Sequence, residues 1–196
     1  VNFLAHFHLS ETDPESLLGN FLGDFVTGDP SDRYSEQVCA GIHMHRRIDA
    51  FTDSHPDWKA SKGRLSKERR RFAGVIVDIF YDYFLCRHWM EMGNTTGLDE
   101  SVASYYASLR EVEDSVVEPH AQRALSFMIE ENWLGRYATL RGIDRSLDRV
   151  SLRSPRIGAI AGAAEELTLH EAEFDADFIR FYPKLQAFVQ SGGISD

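Results

Sequence analysis

The strongest constraint in this chain is a series of apolar runs that repeat at helical spacing and carry isolated polar residues on the same period. Leu17, Leu18, Phe21, Leu22 and Phe25 follow Thr12-Asp13-Pro14, which supplies cap candidates and a first-turn proline, and the run stops at Gly28-Asp29-Pro30. Comparable patterns predict helices over about 36–52, ended by His55-Pro56, and from a Ser66 cap through residue 89. Further helices are predicted over 99–115, 119–140, 143–152 and 155–189. Alternating β-branched runs are essentially absent, and Val75-Ile76-Val77 sits inside a helix-period pattern. The expectation is an all-α single domain, residues 1–196, of about seven helices.

Charge narrows the partners. With 31 acidic against 21 basic residues the net charge is −10, which disfavours nucleic acid or an anionic membrane as partner of the whole surface. The most apolar stretch, 73–85, is interrupted by Asp78 and Asp82, so no membrane span is expected. The opening residues lack the basic region of a secretory signal, and a cytoplasmic location is the expectation. Cys39 and Cys86 form neither a disulfide framework nor a zinc-type pair.

The polar residues inside the apolar helices are the candidates for chemistry. Asn20 and Asp24 stand four apart; His45, Asp49 and Asp53 stand at successive i,i+4 steps; Asp78 and Asp82 repeat the spacing. His6 and His8 precede the first predicted helix, and His43 and His88 lie near the other sets. Buried carboxylates require positive partners, hydrogen bonds or a metal. Mixed imidazole and carboxylate donors suit Mn²⁺, Fe²⁺ or Zn²⁺ better than an all-oxygen calcium cage. The competing reading of each pair alone is a solvated face, a cap or an ordinary partly buried histidine. No Glu-x-x-His pair, His-Glu-x-x-His, Gly-x-Ser-x-Gly, Walker loop or dinucleotide fingerprint occurs.

A basic island interrupts the acidic chain. Lys59, Lys62, Arg64, Lys67, Arg69, Arg70 and Arg71 are opposed within their span only by Glu68. Arg141, Arg145, Arg149 and Arg153 form a second series stepping by four, diluted by Asp144 and Asp148. Either is a solvated, salt-bridged face or an electropositive dock for an acidic partner.

Several blocks together carry a family resemblance. Asn2-Phe3-Leu4-Ala5-His6-Phe7-His8-Leu9, Gly19-Asn20-Phe21-Leu22-Gly23-Asp24-Phe25-Val26 and Gly41-Ile42-His43-Met44-His45-Arg46-Arg47-Ile48-Asp49 with Thr52-Asp53 resemble the acyl carrier protein phosphodiesterases. The 78–89 stretch and Arg180-Phe181-Tyr182-Pro183 are similar as well, so the resemblance runs over nearly the whole chain in order. It implies an all-α hydrolase, distantly similar to HD-type metal-dependent phosphohydrolases. It also implies a divalent cation, commonly manganese, with magnesium or iron as alternatives. The implied reaction cuts the phosphodiester joining 4′-phosphopantetheine to a serine of holo-acyl carrier protein. Val1 stands where the family begins with methionine, and no His-Asp dipeptide occurs, so the HD ligand pattern does not transfer by alignment.

On this resemblance Asp24, His45, Asp49 and Asp82, with His6 or Asp78, are expected to hold one or two metals. Asp24 is also expected at the catalytic centre, Arg46 or Arg47 is expected to clamp the phosphate, and His43 or His88 to protonate the leaving serine oxygen. The basic island 59–71 becomes the expected landing site for the acidic carrier. Two alternatives stay open: a metal phosphohydrolase of small phosphoesters such as nucleotides, and a non-catalytic carrier-binding module.

Overall fold

In the computed structural model the chain is described over residues 1–112, 117–152 and 155–193. Eleven α-helices are present among these residues, and no strand. They are α1 (Phe3–His8), α2 (Pro14–Leu22), α3 (Glu36–Ser54), α4 (Pro56–Arg64), α5 (Ala73–Arg87), α6 (Leu98–Arg110), α7 (Pro119–Glu130), α8 (Trp133–Arg136), α9 (Leu140–Ser151), α10 (Ala164–Leu169) and α11 (Glu171–Gln190). Arg153 and the end of the predicted 99–115 helix lie outside the described residues.

The expected all-α class holds, but the expected seven helices become eleven for local reasons. α1 has only six residues, too short to display a period. His55, extended at ψ 134° before Pro56, ends α3 and begins α4. The predicted 119–140 helix is divided at Asn132, whose left-handed backbone (φ 46°) and side chain start α8 by accepting from the Gly135 amide. The predicted 155–189 helix opens as a 3₁₀ segment, Pro155–Ile160, and then divides into α10 and α11. Ser66 does not cap a helix: its amide and hydroxyl both donate to Glu166, at 2.8 and 2.5 Å, and α5 begins only at Ala73 after a 3₁₀ turn.

α5 is apolar nearly all round, and Ile76, Val77, Phe80, Tyr81, Phe84 and Leu85 are fully buried, as expected of a central helix. α11 packs against it through Phe174, Phe178 and Phe181; Phe80 meets Phe174 edge-on at 5.3 Å and Tyr81 meets Phe178 at 5.4 Å. Each such side chain contributes about 2 kcal/mol by leaving water. α2 lies unusually close to α3. A Cβ on Gly19 would sit 2.4 Å from the Val38 carbonyl oxygen and one on Gly41 2.8 Å from Gly19 Cα, so the crossing requires both glycines. Asp13 caps α2 through the Ser16 amide, and Ser35 caps α3 through Val38. These devices set the register in which α2 and α3 present their polar residues together.

Candidate active site

The close α2–α3 crossing brings Asn20 and Asp24 against His45 and Asp49. Asn20 lies in the last turn of α2, where carbonyls lack helical partners, and its main-chain oxygen accepts the His45 Nδ1 proton at 2.7 Å. The opposite ring nitrogen, Nε2, faces Asp49 Oδ2 at 3.1 Å and Asp24 Oδ1 at 3.6 Å. A Cβ at Gly23 would fall 2.1 Å from His45 Cγ, so glycine there makes room for the ring.

α1 delivers the second imidazole. His6 Nε2 lies 3.2 Å from Asp49 Oδ1, and its ring stacks on His45 at 3.8 Å with an 11° tilt. Asp49 therefore gives one oxygen to each histidine. Both rings are about 2% exposed, whereas Asp24 and Asp49 are 52% and 44% exposed: buried imidazoles with carboxylates at the opening. His6 Nδ1 is buried with no hydrogen-bond partner.

The electrostatics follow this layout. Burial opposes charging of His45, but its hydrogen bonds to Asp24 and Asp49 and their charges outweigh it and lift its pKa to about 9. His6 is pushed down to about 4 by burial and the neighbouring His45 charge, against the pull of Asp49. Burial would raise Asp49, yet hydrogen bonds from both histidines hold it well below the ordinary carboxylate range. Asp24 is likewise lowered: burial opposes, and the hydrogen bond and charge of His45 prevail.

Ligand atoms of His6, His45 and Asp49 all lie within 4.8 Å of one another, so the group could hold a metal ion. The donor chemistry fits. With His45 Nδ1 donating to a carbonyl, Nε2 faces two carboxylates and must carry either a proton or a cation.

The other candidates have different surroundings. Asp82, fully buried on α5, accepts the Leu4 and Ala5 amides at 2.9 and 3.2 Å and so caps the start of α1. Burial raises it to about 7, against the pull of those amides and the amino group. Asp78 accepts from the Val1 amino group at 2.6 Å and from Trp58 Nε1 at 2.9 Å; burial raises it too. Arg46 donates to the carbonyls of Gly28 and Val26, and Arg47 to that of Gly192. His43 is exposed on α3. His88 sits between Glu91 and Asp175, at 2.9 and 2.6 Å. In the basic island, Arg64 pairs with buried Asp177, Arg69 with Glu165 and Glu166, and Lys62 covers the Trp58 ring. Lys59, Lys67, Arg70 and Arg71 are exposed.

A cavity of about 360 Å³ opens beside the cluster. Asp24, Asp49, Thr52, Asp53 and Asp78 line it from α3, α5 and the end of α2; Trp133, Arg136, Arg145 and Arg149 line it from α8 and α9. Sequence reasoning named Arg145 and Arg149 only as a diluted charge series, and passed over Trp133 and Arg136. The four-residue spacing of Arg145 and Arg149, on the side of α9 opposite buried Ile143 and Leu147, is the available signal.

The arrangement is an imidazole–carboxylate cluster beside a cleft lined with both carboxylates and guanidiniums, in an all-α fold. The chain belongs to the acyl carrier protein phosphodiesterase family, whose profile matches residues 1–185. Proteins named acyl carrier protein phosphodiesterase are similar to it throughout. The one from Photorhabdus laumondii is 39% identical over 93% of this chain and 92% of its own length. Those from Escherichia coli O157:H7 and Pectobacterium atrosepticum are 36% and 34% identical, over 95% and 97% of this chain and 96% and 98% of theirs. No solved structure matches.

Proposed function

We propose that this protein hydrolyses the phosphodiester between 4′-phosphopantetheine and the serine of holo-acyl carrier protein, giving the apo carrier, in the cytoplasm. The reading assigns it a divalent cation held by His6, His45 and Asp49 with Asp24 alongside, manganese ahead of magnesium or iron. The observation that carries it is the His6–His45–Asp49 cluster opening onto a cleft in a chain of this family.

Each residue has a physical part. Asn20 fixes His45 through its Nδ1, so that Nε2 points to Asp49 and Asp24. Asp49 aligns both imidazoles, one oxygen to each. Asp24, half exposed at the opening, is placed to accept a proton from an attacking water or to add an oxygen donor. When bound, the cation polarises a phosphoryl oxygen and makes water a better nucleophile at neutral pH. Asp82 holds the start of α1 and thereby the position of His6. The exposed cations Lys59, Lys67, Arg70 and Arg71 steer the acidic carrier, while Arg64 and Arg69 brace the same surface.

Holo-carrier incubated with the protein and Mn²⁺, with and without chelator, and then weighed by mass spectrometry tests the reading. A loss equal to phosphopantetheine that chelator abolishes is the expected result; an unchanged carrier mass with added Mn²⁺ overturns it. Release of phosphate from nucleotides in its place identifies a small-phosphoester enzyme.

A further inference from the structure

We infer that Arg145 and Arg149, with Trp133, form the subsite that takes the phosphoryl group of the prosthetic arm, on the α8–α9 wall of the cavity that also carries Asp24 and Asp49. The identity of the anion rests on the phosphodiesterase reading; the subsite itself rests on four observations.

The first is position: both guanidinium groups line the same 360 Å³ cavity as the carboxylates of the His–Asp cluster. The second is register. Arg145 and Arg149 stand one helical turn apart on α9, which buries Ile143 and Leu147 on its other side, and the Thr139 side chain fixes the helix start by accepting from Gly142. The third is charge. Arg136, Arg145 and Arg149 converge on the cleft, yet Glu131 is the only anion paired with them among the described residues, at 2.8 Å from Arg136 and 3.6 Å from Arg149. Arg145 has neither an ion pair nor a hydrogen bond among the described residues. The fourth is an unmet donor: Trp133 Nε1 is buried with no hydrogen-bond partner, and the Arg149 guanidinium lies 5.1 Å over the same indole.

Arg145 is exposed and without an ion pair among the described residues, and Arg136 and Arg149 share the single carboxylate of Glu131, so the three present an excess of positive charge and N–H donors that one anion bearing several oxygens can bridge. Guanidinium matches phosphate by paired N–H···O bonds, which fixes orientation as well as charge. Held there, a phosphodiester lies between the arginines and the His–Asp cluster, and Arg145 and Arg149 offset the repulsion it meets from Asp24, Asp49 and Asp53.

The test compares 4′-phosphopantetheine with pantetheine, which lacks the phosphate, by calorimetric binding to wild type, Arg145→Gln, Arg149→Gln and the double variant. Arg141→Gln, exposed on α9 outside the cavity, is the control. Wild type and control are expected to bind the phosphorylated compound at least tenfold more tightly, and the double variant to lose about tenfold or more of that preference. Mn²⁺ affinity and inhibition by apo carrier are expected to stay within about twofold. Arg145→Lys is expected to recover part of the preference. Equal binding of the two compounds by wild type, or an unchanged preference in the double variant, overturns the subsite. Loss of apo-carrier inhibition with the preference intact also overturns it and assigns the arginines to carrier docking. Wild-type hydrolysis of holo-carrier is measured in parallel: its absence sinks the phosphodiesterase reading, while the phosphate preference still reports on the subsite.

Discussion

His45 Nδ1 lies 2.7 Å from the main-chain oxygen of Asn20, and this bond decides which edge of the imidazole the site receives. A carbonyl only accepts, so Nδ1 carries the proton and Nε2 is left facing Asp49 and Asp24, where the proposed cation would bind. Asp49→Asn removes the negative charge and replaces one of the two oxygens that face the histidines with an NH2 donor, without disturbing the Asn20 bond. Because Asp49 is 44% exposed, helix content should remain intact. Mn²⁺ binding by calorimetry and turnover of holo-carrier are both expected to fall at least about 100-fold. An Asp49→Asn protein that keeps wild-type turnover removes the cluster from the mechanism.

Chelator should act on the same cluster. Removal of the divalent cation is expected to abolish turnover and lower the melting temperature, with Mn²⁺ restoring both, since a ligand that binds only the folded state stabilises it by mass action. Asp49→Asn should then melt at one temperature with or without Mn²⁺. A Mn²⁺-dependent shift that survives in the variant places the binding elsewhere.

Gly23 controls the site by being small. Its added Cβ would stand 2.1 Å from His45 Cγ, so Gly23→Ala must displace the ring or separate α2 from α3. A stability loss of about 1–3 kcal/mol and at least a tenfold fall in Mn²⁺ affinity are expected. Gly63→Ala, in α4 with open space around it, should be neutral or stabilising by up to about 1 kcal/mol. Comparable Mn²⁺ affinity in the two variants argues against the packing role.

The all-α class and the groups of α2 and α3 were legible because an i,i+4 spacing fixes which side chains share a face, as His45 and Asp49 do. The same rule placed Asp78 and Asp82 on one helix but could not reveal that Asp82 faces two amides of α1, because α1 is too short to show a period. Likewise Arg46 and Arg47 adjoin His45 in sequence, yet adjacent helical residues diverge by about 100°, and their guanidiniums reach loop carbonyls instead. Arg145 and Arg149 meet the cleft only through the packing of α9 beside α5, a relation between helices that no single segment encodes.

The cap on α1 carries its own expectation. Asp82 is fully buried and binds the Leu4 and Ala5 amides, so Asp82→Ala leaves two buried donors without an acceptor. A loss of about 2–4 kcal/mol is expected by urea unfolding. Hydrogen exchange should rise first in residues 3–8, and Mn²⁺ affinity should fall with the misplacement of His6. Unchanged exchange there rules out the cap as the element that positions His6.

The basic island divides into charges that are ion-paired and exposed charges with no ion pair among the described residues, and the division predicts opposite phenotypes. Arg69 is 15% exposed and binds Glu166, itself 8% exposed, so Arg69→Ala leaves a largely buried carboxylate unpaired and should cost about 3 kcal/mol. Arg70→Glu with Arg71→Glu, both exposed, should leave stability within about 0.5 kcal/mol and instead raise KM for holo-carrier and alter its salt dependence. Acid supplies a second check on the Glu166 network. Burial would raise the Glu166 pKa, but hydrogen bonds from Ser66 and Arg69 and the Arg69 charge bring it below its ordinary 4.5. A carboxyl lowered in the folded state contributes stability above its unfolded pKa and loses it as pH falls through the folded value. The stability gap between wild type and Glu166→Gln should therefore be full at neutral pH and narrow below about 4.5. A gap that stays constant to pH 3 shows that packing, and not the ionised carboxylate, holds the 66–69 turn to α10.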